Sequence, residues 1–151
     1  MTLKGLAPNV QSAAQKALDD LDGKGIPYAV TSTVRTYMEQ AALFAQGRNS
    51  LVLVNSRRAA AGMPPIGEKD NSYTVTRCDG TPASQGAGHA RSPHQLGIAL
   101  DVVPRGEDGP QWPRPDDPRW AQIADAFKAQ GFEWGGDWKD FPDKPHYQYT
   151  T

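Results

Sequence analysis

Apolar residues recur at helical spacing in two parts of the chain, close to the N-terminus and again after residue 117. In the first part they fall three and four residues apart, which is typical of an amphipathic helix, and Gly23 favours its end. Thr36 and Glu39 have the spacing of a capping box, which predicts that a further helix begins there. Asp117 followed by Pro118 is typical of a helix start. The predicted helices cover residues 9–21, 36–47, 50–61 and 117–130.

Runs of β-branched and aromatic residues predict short strands between the helices. Residues 97–103 alternate with a period of two, so that Leu100 and Val102 face the core. Asp101 faces the other way, together with Gly97 and Ala99, whose small size lets a bound group approach the sheet. The predicted strands cover residues 28–34, 73–78, 97–103, 132–134 and 146–149, and the predicted loops cover residues 84–88 and 104–115.

Length and charge narrow the class of protein. The 151 residues predict one domain, residues 1–151, with its own hydrophobic core. A net charge of −1 gives no electrostatic reason to bind nucleic acid or an anionic membrane, and we expect a monomer without such partners. The single Cys78 excludes an intramolecular disulfide and a cysteine-rich zinc finger. The N-terminal residues lack the apolar core of a signal peptide, so we expect the chain to start in the cytosol.

Two of the three histidines and one aspartate are candidate ligands of a catalytic zinc ion. His94 and Asp101 lie in the pattern S-x-H-x-x-G-x-A-x-D, and His146 closes the pattern D-x-P-H that begins at Asp143. Two imidazoles and one carboxylate leave the fourth position of a tetrahedral zinc ion open, as in catalytic sites. Taken singly, each residue is better explained as a loop histidine, a strand-end carboxylate or a surface histidine. Their combination beside small residues favours the metal.

These motifs together resemble those of the zinc peptidases that cleave bacterial cell-wall peptides, a family that includes D-Ala-D-Ala carboxypeptidases and phage L-alanyl-D-glutamate endopeptidases. Arg35 and the helix after it also resemble the arginine-bearing turn of that family. The W-G-G-D-W stretch at residues 134–138 is similar to the endopeptidase branch. The resemblance covers roughly residues 28–48 and 84–149, and residues 49–83 depart most from the family pattern.

The resemblance implies an α+β fold with a small, mainly antiparallel sheet, helices packed on one side of it and one zinc ion at its open face. It implies that the zinc ligands are His94, Asp101 and His146. It also implies that Asp143, three residues before the last ligand, is the general base that takes a proton from the attacking water.

Further site residues follow from the same resemblance. Arg35 is expected to stabilise the oxyanion or to anchor a substrate carboxylate. Ser92 and Gln40 are expected to bind substrate or to support the ligands, and a structural role for Ser92 is equally open. Asp137 and Asp140 compete with Asp143 for the role of base, although only Asp143 has the required spacing.

The remaining aromatic and histidine residues have alternative interpretations. We expect His89 to be a solvated loop residue rather than a substrate contact. Trp134, Trp138 and Tyr147 are candidates to line the cleft, and at least one of them is expected to be core.

The implied function is hydrolysis of peptidoglycan stem peptides. An aspartate at position 143, where carboxypeptidase relatives usually carry glutamate, favours an L-alanyl-D-glutamate endopeptidase over a D-alanyl-D-alanine carboxypeptidase. We expect a phage or prophage endolysin that collects in the host cytoplasm and acts on the periplasmic wall after the membrane is permeabilised. We expect no separate wall-binding domain.

The same residues allow two other classes of protein to be considered, a serine hydrolase and a zinc-binding module. A Ser-His-Asp hydrolase built on Ser92, His94 and Asp101 is excluded, because one residue separates the serine from the histidine and no G-x-S-x-G turn is present. A non-catalytic zinc-binding module for cell-wall peptides remains an alternative. Asp143 distinguishes the two, since such a module has no need of a base.

Overall fold

Four α-helices and five strands are found in residues 2–85 and 89–150, the part of the chain that the computed structural model describes. The helices are α1 (Pro8–Gly23), α2 (Tyr37–Ala45), α3 (Leu51–Ala60) and α4 (Pro118–Lys128). The strands are β1 (Tyr28–Ser32), β2 (Ala99–Gly106), β3 (Gly109–Pro110), β4 (Phe132–Trp134) and β5 (His146–Tyr149). No helix in these described ranges is long and apolar enough to cross a membrane.

The chain divides into two units, and the sheet belongs to the first, which holds residues up to Val34 and from Gly97 onward. The strands run in the order β1-β2-β5-β4, every neighbouring pair is antiparallel, and β3 extends β2 as a hairpin. Helices α1 and α4 pack on the face of the sheet that carries Leu100, Val102 and Tyr147. The predicted α+β fold, with an antiparallel sheet and helices on one side, is confirmed.

Aromatic packing joins α4 to the sheet. Phe127 of α4 is fully buried, stacks on the Tyr147 ring at 4.4 Å and meets the edge of Phe132 at 5.3 Å. Burying a side chain of this size stabilises a fold by about 1.5–3 kcal/mol. The start of α4 is set by Asp117, whose carboxylate accepts a hydrogen bond from the Arg119 backbone N–H at 2.9 Å, as its sequence position predicts.

Strand β2 departs from the prediction at both ends. It begins at Ala99 rather than residue 97, and it continues to Gly106 into the segment predicted as a loop. The continuation is held from both sides, because Pro104 lies opposite Tyr28 of β1 and the next residue, Arg105, pairs with Pro110 of β3. Proline and glycine favour loops in isolation. Here, pairing partners on both sides outweigh that preference.

The second unit, Arg35 to Leu96, contains α2 and α3. The predicted capping box is present: Thr36 accepts a hydrogen bond from the Glu39 backbone N–H at 3.1 Å, and the Glu39 carboxylate accepts one from the Thr36 N–H at 3.0 Å. The Ser50 side chain caps α3 by accepting a hydrogen bond from the Leu53 backbone N–H. Helices α2 and α3 therefore both begin close to where the sequence predicts.

The strand predicted at residues 73–78 is wrong. The segment pairs with no other strand among the described residues, and instead the side chain of Gln40 on α2 donates hydrogen bonds to Thr76 Oγ1 at 3.1 Å and to the Cys78 carbonyl oxygen at 2.8 Å. Gly47, at φ +79°, packs so closely against the Tyr73 backbone that no side chain fits there. In the predicted loop at 84–88, Ser84 and Gln85 belong to a 3₁₀ turn, and residues 86–88 lie outside the described ranges.

The buried hydroxyl of Tyr147 gives a stability prediction. It has no hydrogen-bond partner among the described residues. Burial, followed by the nearby Asp125 and Asp137 carboxylates, raises the pKa of Tyr147 well above its usual range. Because an unsatisfied buried hydroxyl costs about 1–3 kcal/mol, we expect Tyr147→Phe to raise the free energy of unfolding by about 1 kcal/mol.

Denaturant titration measures this change. Tyr149→Phe is the matched control, since the Tyr149 side chain is only half-buried, and its effect should lie close to zero. A clear loss of stability in Tyr147→Phe would show that the hydroxyl is satisfied after all.

Candidate metal centre

Asp101 and His146 face each other across two neighbouring strands. Strand β2 pairs with β5 so that Asp101 lies opposite His146 and Leu100 lies opposite Tyr147. Because successive side chains of a strand point to opposite faces, and Leu100 and Tyr147 point into the core, Asp101 and His146 point to the other face. The side chains remain only 19% and 7% exposed, respectively. The register thus places two predicted ligands side by side in a largely dry environment.

The distance between these two side chains fits shared metal ligation. His146 Nδ1 lies 3.5 Å from Asp101 Oδ1. A well-formed N–H···O hydrogen bond is shorter, at about 2.7–3.2 Å. Two ligands that each sit about 2.0–2.1 Å from a tetrahedral zinc ion lie roughly 3.4 Å apart. The spacing is therefore compatible with two ligands on one ion.

A chain of hydrogen bonds fixes which nitrogen of His146 is available. Gln148 donates from Nε2 to the Glu133 carboxylate at 2.9 Å, so its Oε1 is the atom that faces His146 Nε2 at 2.8 Å. A carboxylate only accepts hydrogen bonds, and this sets the orientation of the Gln148 amide. His146 Nε2 must then carry the hydrogen, and the lone pair of the neutral ring lies on Nδ1, towards Asp101. Metal-ligating histidines are usually oriented by such a second hydrogen bond.

His94 is the third predicted ligand and is almost fully buried, at 2% exposure. It lies in a turn in which its backbone N–H donates to Ser92 Oγ at 3.2 Å, while its carbonyl oxygen accepts from the Arg35 N–H at 3.2 Å. His94, Asp101 and His146 each offer one ligand atom, and these atoms lie within 4.8 Å of one another. The structure thus brings together the three residues that the motifs singled out.

Ser92 is buried and shapes the turn that carries His94. Its backbone N–H donates to Gln95 Oε1 at 2.8 Å, and its carbonyl oxygen accepts from the Gln95 N–H at 2.9 Å. Its hydroxyl accepts the hydrogen bond from His94. These contacts support the ligand-positioning role that was predicted for Ser92 as one of its alternatives.

Gln40 forms a hydrogen bond with the Arg35 side chain. It is fully buried, and its Oε1 accepts a hydrogen bond from Arg35 Nη1 at 3.2 Å, while its Nε2 is taken up by the segment at Thr76 and Cys78. A fully buried amide whose two ends are both engaged is not exposed to a substrate. Of the two roles predicted for Gln40, support for another site residue matches its contacts.

The segment between β4 and β5 holds Asp143 beside His146. The Asp143 N–H donates to the Gly135 carbonyl oxygen at 2.8 Å, and the His146 N–H donates to the Asp143 carbonyl oxygen at 3.1 Å. A side chain at Gly135 would collide with the Asp143 carbonyl and would lie 3.1 Å from His146 Cβ. Trp134 Nε1 donates to the Lys144 carbonyl oxygen at 2.7 Å, which fixes the same segment. This role of Gly135 is not predicted by the motifs, and only the W-G-G-D-W stretch could have suggested it.

Asp143 differs from Asp137 and Asp140 in the charged groups that it interacts with. Burial by itself lowers the pKa of His146, but the Asp101 carboxylate, assisted by Gln148 and Asp143, reverses this effect and raises that pKa above its ordinary value. Asp143 is therefore one of the carboxylates whose charge raises the pKa of this candidate ligand. Asp137 instead forms an ion pair with Lys128 at 2.7 Å, and Asp140 is exposed.

The three aromatic residues near the motifs divide as predicted. Tyr147 is fully buried and Trp134 is 8% exposed, and both belong to the core. Trp138 is half-buried, and its ring centre lies 5.2 Å from that of His146. Trp138 is thus the aromatic side chain next to the candidate ligands.

His89 lies in a loop with its side chain 39% exposed, as predicted, but one of its ring nitrogens is engaged. His89 Nδ1 lies 2.9 Å from Asp79 Oδ2 and 2.7 Å from Thr81 Oγ1. Hydrogen bonds from Thr81, followed by the Ala90 N–H and the charge of His89, hold the pKa of Asp79 well below its usual range. His89 is therefore one partner in a cluster centred on Asp79.

Comparisons with known proteins agree with this site. A family model described as D-alanyl-D-alanine carboxypeptidase matches residues 85–149, which include all three candidate ligands and Asp143. The peptidoglycan L-alanyl-D-glutamate endopeptidase CwlK of Bacillus subtilis (strain 168) is 29% identical over 150 residues, covering 95% of this chain and 72% of that protein. The L-alanyl-D-glutamate peptidase of Listeria phage A118 is 28% identical over 145 residues, covering 96% of this chain but only 38% of that protein.

Solved structures show the same fold. The L-Ala D-Glu endopeptidase ChiX of Serratia marcescens has a TM-score of 0.56 at 25% identity, covering 99% of this chain and 84% of that one. The vancomycin-resistance D,D-pentapeptidase VanY, a mutant in complex with Zn(II), has a TM-score of 0.58 at 16% identity, covering 100% of this chain and 78% of that one. Across most of its length the chain is thus similar to L-alanyl-D-glutamate endopeptidases, and over residues 85–149 it matches the D-alanyl-D-alanine carboxypeptidase model.

Proposed function

We propose that this protein is a zinc-dependent endopeptidase that hydrolyses the L-Ala–D-Glu bond of peptidoglycan stem peptides. The observation that carries the proposal is the 3.5 Å pair of His146 Nδ1 and Asp101 Oδ1, with the lone pair of the imidazole turned towards the carboxylate. The choice of bond is supported by relatives from Bacillus and from a Listeria phage that are named for it. D-alanyl-D-alanine carboxypeptidase is the second candidate, because the matching family model carries that description.

One zinc ion is proposed to bind His94, Asp101 and His146. The donor set fits, since two imidazoles and one carboxylate are characteristic of catalytic zinc sites and leave a position open. When bound, zinc lowers the pKa of water and polarises an amide carbonyl. The hydrogen bond from His146 Nε2 to Gln148 keeps the ring in the tautomer that ligation at Nδ1 requires.

Asp143 is proposed as the general base, and Arg35 as the group that stabilises developing negative charge. Backbone hydrogen bonds from Asp143 to Gly135 and from His146 to Asp143 fix the main chain from which its carboxyl group extends. It takes the proton of the attacking water and returns it to the leaving amine. Arg35 is always charged, and its bond to the buried Gln40 oxygen limits its movement, so that it meets the oxyanion or a substrate carboxylate without reorganising.

Variants of the ligands and of the base separate metal binding from catalysis. We expect His94→Ala and His146→Ala to lose zinc, as measured by metal analysis of the purified protein. Asp143→Ala should retain zinc and lose turnover by roughly 10²–10⁴-fold, the range typical of a general base. Chelation should abolish activity, and added zinc should restore it.

Asp140→Ala is the matched control for the base, because Asp140 is an exposed carboxylate in the same segment. Its turnover should remain close to that of the wild type. If Asp143→Ala turns over at the wild-type rate, Asp143 is not the base, and Asp137 or Asp140 takes its place as the candidate.

Mass spectrometry of digested peptidoglycan tests the scissile bond. Purified peptidoglycan is incubated with the zinc-loaded protein and, as a control, with chelator-treated protein. We expect stem peptides that begin with D-Glu, released only by the zinc-loaded sample. Loss of the terminal D-Ala alone, with L-Ala–D-Glu intact, would establish the carboxypeptidase instead.

The biological role is proposed to be that of a phage or prophage endolysin. The likeness to the phage A118 peptidase supports it. A wall hydrolase of this kind collects in the host cytoplasm and meets its substrate once the membrane has been permeabilised.

Expression in a Gram-negative cell tests this role. We expect a fall in culture density only when a membrane-permeabilising partner is made together with the protein. The Asp143→Ala variant with the same partner should cause no such fall. Wall trimming without lysis in the absence of the partner would instead indicate a housekeeping bacterial peptidase.

A further inference from the structure

The second unit contains a pocket of about 500 Å³ that the catalytic proposal does not fully use. Two arginines, Arg35 and Arg91, line it together with Gln95, and no acidic residue is among its lining residues. Asp79 is the only acidic residue between positions 79 and 96, and its carboxylate is already engaged by Thr81, Ala90 and His89. The pocket therefore presents positive charge without an acidic group on its own lining.

The backbone around Arg91 is held on both sides. On one side Ala90 donates from its N–H to Asp79 Oδ1 at 3.1 Å and accepts at its carbonyl from the Gly80 N–H at 2.9 Å. On the other side Ser92 exchanges hydrogen bonds with Gln95. Gln95 Nε2 also donates to the Gly80 carbonyl oxygen at 3.0 Å, and this bond links two residues that line the pocket. The backbone on both sides of Arg91 is thus fixed by hydrogen bonds within the protein.

The two arginines differ in how they are held. Arg35 donates from Nη1 to Gln40, and its backbone N–H donates to the carbonyl oxygen of His94. The side chain of Arg91 is exposed, and no hydrogen bond or ion pair to another described residue engages it. Its guanidinium is available to a ligand, and a guanidinium binds a carboxylate through two parallel hydrogen bonds.

We propose that this pocket binds a free carboxylate of the substrate, with Arg91 as a specificity-determining residue beside Arg35. The inference rests on the proposed function. A D-glutamyl residue whose amino nitrogen lies in the scissile amide has two carboxyl groups, and at most one of them continues the peptide. The other remains as an anion on the residue that leaves with the new amine, and a carboxylate is the group that a guanidinium such as that of Arg91 binds.

A pair of matched peptides tests the proposal. Both contain the L-Ala–D-Glu bond, and they differ only in whether the free carboxyl group of D-Glu is a carboxylate or a carboxamide. We expect the zinc-loaded wild type to have a KM about fivefold lower for the carboxylate, since one exposed ion pair has at most roughly that effect. Arg91→Gln should lose this preference through KM, with kcat little changed. Arg114→Gln, which removes an exposed arginine from the first unit, should keep it.

A binding measurement keeps this test separate from the test of peptidase activity. The N-terminal D-glutamyl product peptide and its carboxamide analogue are titrated calorimetrically into the zinc-loaded wild type and Arg91→Gln. Tighter binding of the carboxylate form by the wild type alone supports the pocket. Equal binding of both forms by the wild type, or an unchanged preference in Arg91→Gln, overturns it even if the L-Ala–D-Glu bond is cleaved. If neither peptide is cleaved, the proposed function fails, and the titration still decides the pocket.

Discussion

The direct pairing of Asp101 with His146 across β2 and β5 is the constraint on which the candidate site depends. These residues are 45 positions apart in sequence, and only the antiparallel register brings their side chains to a separation of 3.5 Å. The same register turns Leu100 and Tyr147 into the core, where Phe127 of α4 stacks on the tyrosine. Packing on one face of the sheet therefore fixes the geometry on the other.

In the second unit, the side-chain amides of Gln40 and Gln95 form hydrogen bonds that connect separate backbone segments, as strand pairing does in a sheet. Gln40 binds the segment at Thr76 and Cys78 as well as Arg35, and Gln95 joins Gly80 to Ser92. A buried amide is costly unless it is satisfied, and both ends of Gln40 have partners. Among the described residues of this unit, the arrangement holds irregular backbone without strands. It explains how these residues present both Arg35 and His94 in fixed turns.

The helices were predicted well because their signals are local. The capping box at Thr36, the Asp117 cap and the apolar spacing of α1 each lie within a few residues of the element that they define. Strand assignments depend on partners that lie far away in sequence. Residues 73–78 have strand-like composition but meet Gln40 instead of a strand, and Pro104 stays in β2 because β1 lies beside it.

The candidate ligands were identified from motifs, but the geometry that supports them was not visible in the sequence. Nothing in the spacing of His94, Asp101 and His146 predicts that their ligand atoms converge to within 4.8 Å. The orientation of the His146 ring depends on Gln148 and Glu133, which no motif marked. Gly135 is marked in the sequence only as part of a family likeness, although its missing side chain is what lets the Asp143 backbone and His146 Cβ pack against it.

The alternation along β5 also limits how this chain can change. Inserting or deleting one residue within the strand would exchange the two faces, turning the Tyr147 ring towards the ligand side and the His146 imidazole into the apolar layer. Such a slip would remove the stacking on Phe127 and a candidate ligand in one step. Length changes inside β5 should therefore eliminate folding and metal binding together. Tolerated insertions are expected instead at exposed turns such as that between β2 and β3.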